Sequence, residues 1–224
     1  MNEQNFTAQS QVFDRIAAGW YSFRHRSIFS RELSALAAKW QTGKLLNAGC
    51  GCGADFIPFK DSFELYGIDF SAEMINQAEK YARKHGFKPN LAVADMQNLP
   101  FEDAEFDWLI AVASFHHLKG QDSQLKVLQE FGRVLKDDGQ IFLTVWNRLQ
   151  PRFWFKGRET LVPWKSQDQI LKRYYRLYTC WEIEALVKKA GFRVVSSSGE
   201  KSHRGPKYFA RNICLLLEKQ TLKK

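Results

Sequence analysis

The chain has 224 residues, 45% of them hydrophobic and 25% charged, enough for one α/β domain with a full core and short for two. It contains no run of about 18 uncharged apolar residues, which argues against a membrane-spanning helix, and the polar opening Met1-Asn2-Glu3-Gln4-Asn5 lacks the apolar segment of a secretory signal. The net charge of +9 is unevenly placed, because residues 148–224 hold 18 Lys and Arg against 6 Asp and Glu while residues 1–147 are slightly acidic.

A basic face can serve solubility alone. The rings interleaved with these charges (Trp154, Trp164, Tyr174, Tyr175, Tyr208) point instead to a polyanion, since phosphates pair with cations and bases stack on rings. Cysteines 50, 52, 180 and 214 show no paired metal-ligand spacing, so no metal is expected, and reduced thiols in a cytoplasmic protein are the simpler reading.

In chain order, residues 5–40 read as helical, with Val12, Phe13, Ile16, Ala17 and Trp20 on one face and Leu33, Leu36, Ala37 and Trp40 repeating the pattern. They form a helical cap, either a lid over a pocket or packing on the sheet edge, and Arg24 between the two runs is a candidate to hold an anion. Leu45-Leu46-Asn47-Ala48 is a short apolar strand running into Gly49, Gly51 and Gly53. Residues 54–59 follow as a short helix whose start faces the ligand. A second strand ends in Asp69, twenty residues after Gly49, and Ser71 caps a helix that Gly86 ends. Leu91-Ala92-Val93-Ala94 leads to Asp95, and residues 106–113 are apolar almost throughout, as a central parallel strand should be.

That strand runs into Ser114-Phe115-His116-His117. A helix over 123–135 and a fifth strand over 140–146 follow. Residues 147–178 show no regular pattern and read as an aromatic and basic substrate-binding insertion. A helix over 182–190 and strands over 192–198 and 210–218 close the chain. The expected architecture is one α/β domain over 1–224. It has a seven-stranded, mostly parallel Rossmann-like sheet, helices on both faces and an antiparallel strand near one edge.

Glycines at a strand–turn junction tolerate positive φ and put no Cβ between backbone and ligand. Read as Gly49-x-Gly51-x-x-Ala54, the loop fits a dinucleotide fingerprint; read as Gly49-x-Gly51-x-Gly53, it fits a methyltransferase using S-adenosylmethionine (SAM).

Taken with Gly67-Ile68-Asp69-Phe70-Ser71, Val93-Ala94-Asp95-Met96, Leu99-Pro100-Phe101 and Phe106-Asp107, the chain resembles the class I SAM-dependent methyltransferases. That resemblance implies SAM as cofactor, with Gly49, Cys50, Gly51, Gly53, Phe70, Ser71 and Met96 around it. It also implies Asp69 on the ribose hydroxyls, Asp95 on the adenine amino group, and Ala113, Ser114 and Phe115 beside the methionine portion. Phe13-Asp14-Arg15-Ile16-Ala17, Arg24, Ala113-Ser114-Phe115-His116-His117, Val145-Trp146-Asn147, Val162-Pro163-Trp164-Lys165 and Arg173-Tyr174-Tyr175-Arg176 are similar to the tRNA wobble-uridine carboxymethyl methyltransferases. That family esterifies 5-carboxymethyluridine at anticodon position 34, and in it a small zinc-binding activator subunit pairs with the enzyme. On this resemblance Arg24, Arg148, Lys165 and Arg173 are candidates for the acceptor carboxylate. Trp146 and Trp164 are candidates to stack on the uracil, with Tyr174 in the same stretch, and His116 is a hydrogen-bond donor to substrate. The alternative is a methyltransferase acting on a small quinone or carboxylic acid.

Overall fold

Strand β1 (Gly43–Ala48) lies at the centre of the fold because its last four residues are buried on both faces. Its neighbours are β2 (Phe63–Asp69), with β3 (Asn90–Val93) beyond, and β4 (Phe106–Ala111), with β5 (Leu135–Trp146) beyond. All four of these pairings are parallel. Strands β8 (Phe192–Gly199) and β9 (Asn212–Lys219) complete the sheet in the order β3-β2-β1-β4-β5-β9-β8, with β9 antiparallel to both of its neighbours. The strand order reverses between β1 and β4, and a crevice opens at their carboxyl ends, where ligands of open α/β sheets bind. The computed structural model describes residues 3–165, 169–202 and 204–220, so Met1 and Asn2 of the polar opening lie outside the described residues.

The two-residue period of each strand sends alternate side chains to opposite layers. Leu46, Leu109, Ile141 and Leu215 face α4 (Gln121–Val134) and α5 (Cys180–Lys189). Leu45, Ile110, Phe142 and Cys214 face α2 (Ser30–Trp40) and α3 (Ala72–His85). All four cysteines are buried free thiols. No helix among the described residues is long and apolar enough to cross a membrane.

Three local outcomes differ from the sequence reading. The helical run over 5–40 is broken into α1 (Glu3–Phe23) and α2 by a loop that carries Arg24 and Ser27. Strand β4 stops at Ala111, because Ala113 takes φ +53° while its N–H donates to Thr144 Oγ1 at 2.8 Å. Residues 147–178 are not patternless: they contain an antiparallel hairpin of β6 (Glu159–Lys165) and β7 (Ile170–Arg176). The hairpin stands apart from the main sheet. Leu171 of β7 packs with Phe13, Ile16 and Ala17 of α1, and Met74 of α3 closes the same cluster.

Helix α5 starts two residues before the expected position because Thr179 caps it. Thr179 Oγ1 accepts from the Glu182 N–H at 3.2 Å, and Glu182 Oε2 accepts from the Thr179 N–H at 2.8 Å. Thr179→Ala should therefore lower unfolding stability by about 1 kcal/mol in urea denaturation. An unchanged midpoint would show that the cap contributes nothing.

Candidate cofactor and acceptor pocket

The glycine loop is a backbone cradle tied to β2. Gly49 and Cys50 both donate to Ile68 O at 2.8 Å, and Gly51 N–H donates to Asp69 Oδ2 at 2.9 Å. Gly49, Gly51 and Gly53 have φ of +75°, +51° and +81°. A Cβ at Gly49 would stand 2.4 Å from Ser114 Cβ, whereas one at Gly51 would meet nothing nearer than Trp20 Nε1 at 3.8 Å. The first glycine is thus needed for packing beneath the loop and the second leaves the space above it clear. An uncluttered cradle beside a buried carboxylate fits the methionine and ribose portions of SAM, which carries no phosphate for a dinucleotide loop to grip.

Asp69 lines this cradle, its Oδ1 accepting from the Ser71 N–H at 3.0 Å. Burial pushes its pKa up to about 6, although the Ser71 and Gly51 N–H groups pull the other way. Cys50, Phe70, Met96, Ala113 and Ser114 also line the pocket, and Ser114 Oγ donates to Ala48 O at 2.7 Å. So does Asp95, whose carboxylate already accepts from the Gln97 N–H at 2.9 Å and from Gln97 Nε2 at 3.0 Å.

Three expected cofactor residues do not line the pocket. Gly53 turns away from it, its missing Cβ facing Ala78, and serves as the left-handed N-cap of the turn at Ala54–Phe59. Ser71 spends its hydroxyl on the α3 cap, accepting from the Met74 N–H at 3.1 Å and donating to Asp14 at 2.6 Å. Phe115 is fully buried in the core layer under α4.

The acceptor side is roofed by α1. Gln9, Phe13 and Trp20 line the pocket from one helix face, and Arg24 continues the line just after the helix ends. None of the first three was singled out from the sequence as a site residue. Phe13 and Trp20 belong to an apolar stripe at helical period, which reads first as core packing, and a single Gln9 one turn before Phe13 carries no signal of its own.

His116 is fully buried, and neither ring nitrogen has a partner among the described residues. Its ring stacks on Tyr175, 4.9 Å between centroids, and burial holds its pKa well below the ordinary imidazole value. His117 points Nδ1 at Tyr174 O, 2.8 Å away, an arrangement that assigns the proton to Nδ1. Burial lowers its pKa to about 4. Both rings are neutral at pH 7.

Arg24 and the exposed Arg26 line the pocket, and Arg173, which does not line it, packs behind the lining rings Trp20 and Tyr175. The Arg24 guanidinium lies 5.5 Å from the Trp20 ring centre and 5.2 Å from Phe23. Arg173, only 6% exposed, lies 5.3 Å from Trp20, 5.2 Å from Trp164 and 5.4 Å from Tyr175. Neither forms an ion pair among the described residues, and the Nε of each is buried without a partner. Burial lowers both pKa values, and Asp55 nearby partly offsets this for Arg24. Arginine stays charged regardless.

The remaining candidates separate. Trp146 lines the pocket and stacks on Tyr175 at 4.2 Å. Trp164 does not reach it, packing instead on Trp20 and Phe23 at 5.4 and 5.6 Å. Arg148 lies beside Glu182 at the start of α5, and Lys165 is exposed at the end of β6. Tyr174 faces Glu159 and Arg176 across the hairpin from the pocket, and its neighbour Tyr175 occupies the pocket wall.

Residues 45–139 match the family described as "Methyltransferase domain". Among curated proteins, the chain is 30% identical over 122 residues to "Probable tRNA methyltransferase 9B" of Bos taurus, covering 54% of this chain and 25% of that one. It is 30% identical over 139 residues to the tRNA (carboxymethyluridine(34)-5-O)-methyltransferase of Arabidopsis thaliana, covering 61% and 32%. The chain thus spans about a quarter to a third of the length of these two relatives. Among solved structures, Burkholderia thailandensis 1,6-didemethyltoxoflavin-N1-methyltransferase, with bound S-adenosylhomocysteine, superposes with a TM-score of 0.71 at 18% identity, over 98% of this chain and 90% of that one. The family match falls on the glycine cradle and the strands that hold it, and with the seven-strand order it supports a Rossmann-like methyltransferase fold that uses SAM as cofactor.

Proposed function

We propose that the chain methylates the carboxylate of 5-carboxymethyluridine, or a close derivative, at wobble position 34 of tRNA. The observation that carries this reading is the pair of half-buried Arg24 and buried Arg173, held on aromatic rings with no ion pair among the described residues. An anion is what such a pair lacks, and arginine grips a carboxylate in two places. SAM supplies an electrophilic methyl group when bound. The acceptor carboxylate, with an ordinary pKa near 4, is already ionised at neutral pH and needs no general base. The chain therefore has to strip it of water, orient it and shield it, tasks that fall to the arginine pair and the α1 roof. His116, held neutral and with both ring nitrogens unpartnered among the described residues, can donate a hydrogen bond without adding charge, whereas His117 spends its proton on Tyr174 O and offers Nε2 only as an acceptor.

The tRNA anticodon loop is the proposed partner, held by the basic C-terminal part. A small zinc-binding activator subunit is a second proposed partner. The assay is bulk tRNA with labelled SAM, followed by mild base. A methyl ester releases its label as methanol, whereas base-stable label would refute the assignment. The α1 roof also suits a small carboxylic acid that enters whole. Activity insensitive to ribonuclease and to salt would favour that reading, since tRNA binding weakens steeply with salt.

The Asp69 carboxyl gives a pH signature. Ribose hydroxyls donate to its ionised form, so SAM binding should be flat above pH 6 and weaken by up to about tenfold per unit below it. Calorimetry across pH 5 to 8 reads this, with proton release on binding near the pKa of about 6. Asp69→Asn should remove the dependence. In the cofactor-free fold a raised carboxyl pKa favours the native state most below 3.8, and that contribution is lost as pH rises through about 6.

A further inference from the structure

A third arginine stands at the rim of the pocket. The Arg152 guanidinium lies 5.7 Å from the Trp146 ring centre and 5.2 Å from Phe153. Trp146 is the pocket-lining ring that stacks on Tyr175, against which Arg173 rests on its own side of the cluster. Tyr175 thus has Arg173, Arg24 and Arg152 all close enough to stabilise its phenolate form. None of the three arginines has an ion-pair partner among the described residues.

Three like charges around one ring repel one another, and a single carboxylate offsets only one of them. Arg173 is buried, Arg24 half-buried and Arg152 exposed. A ligand matching this division has one anion that enters the pocket and another that stays at the surface. Two and three residues after Arg152 come exposed rings, Trp154 at 60% and Phe155 at 99%. Trp154 Nε1 is tied to Leu149 O at 2.7 Å, which fixes the indole edge. Exposed rings beside a free cation are the surface on which a base stacks while its phosphate is paired.

We propose that Arg152 binds the phosphodiester adjoining the acceptor nucleoside, so that the site reads a carboxylate inside and a phosphate at the rim of the same residue. This rests on the carboxymethyluridine reading above. It extends that reading by giving the chain a reason to prefer a nucleotide within RNA over the free nucleoside.

The test compares 5-carboxymethyluridine with its 3′,5′-bisphosphate as acceptors, for the wild type and for Arg152→Gln and Arg152→Lys. The wild type should favour the bisphosphate in kcat/KM by at least about tenfold, mainly through KM, as one charge-assisted contact allows. Arg152→Gln should abolish that preference, and Arg152→Lys should keep most of it. With a tRNA acceptor, Arg152→Gln should also reduce the slope of log affinity against log salt by about one. A preference that survives in Arg152→Gln, or no preference in the wild type, would overturn the rim assignment while leaving the acceptor reading intact. If neither compound nor tRNA accepts a methyl group, the acceptor reading itself fails and takes the rim assignment with it.

Discussion

Gly49→Ala should weaken SAM binding by at least about 100-fold, or roughly 3 kcal/mol, with the fold retained. Part of the cost is the left-handed backbone, φ +75°, which disfavours any Cβ by about 1–2 kcal/mol. The larger part is steric. The new methyl would stand 2.4 Å from Ser114 Cβ and 2.7 Å from Met96 Cε. The thioether end of Met96 can swing aside. Ser114 cannot, because its hydroxyl is bonded to Ala48 O and its backbone follows the end of β4. The loop must therefore move, and with it the Gly49 and Cys50 N–H bonds to Ile68 and the Gly51 contact with Asp69. Gly86 supplies the control, since it has φ +70° but nothing within 4 Å of an added Cβ. Gly86→Ala should cost about 1 kcal/mol of stability and leave SAM affinity unchanged in calorimetry. Equal effects of the two substitutions on SAM binding would show that backbone strain, and not the cradle, governs the loss.

The cradle was legible because its requirements are local. A strand, three glycines and an acid one strand over occupy a short stretch, and the same period-two and period-3.6 patterns placed all seven strands of the sheet. The acceptor side was less legible, for identifiable reasons. In β7 the inward residues are Leu171, Arg173 and Tyr175, so a charged residue sits in the buried register and hides the alternation that marks a strand. Which of the adjacent Tyr174 and Tyr175 faces inward depends on the pairing of β7 with β6, a one-residue parity that composition does not carry. Gly53, Ser71 and Phe115 show a different limit. Each stands in a cofactor motif because the fold needs it there, as a turn, a cap and a core ring, and motif membership alone does not separate support from contact.

Arg173→Gln should lower kcat/KM for the acceptor by about 100-fold to 1000-fold while leaving SAM affinity within about twofold, since losing one partner of a buried charge pair costs about 2–5 kcal/mol. Without its anion, however, this guanidinium is itself a buried cation close to a second one, Arg24. Removing it relieves a desolvated, repelling charge, so the variant should be as stable as the wild type in urea or more so. Stability and activity moving in opposite directions would identify a residue retained for its ligand. A side chain serving only as packing between Trp20, Trp164 and Tyr175 would lose both together. Arg173→Lys sharpens the distinction. It keeps the charge but not the flat guanidinium that covers three rings and offers two parallel donors, so it should recover little of the lost activity. Full recovery with lysine would reduce the site to a point charge and remove the argument for a two-point grip on a carboxylate.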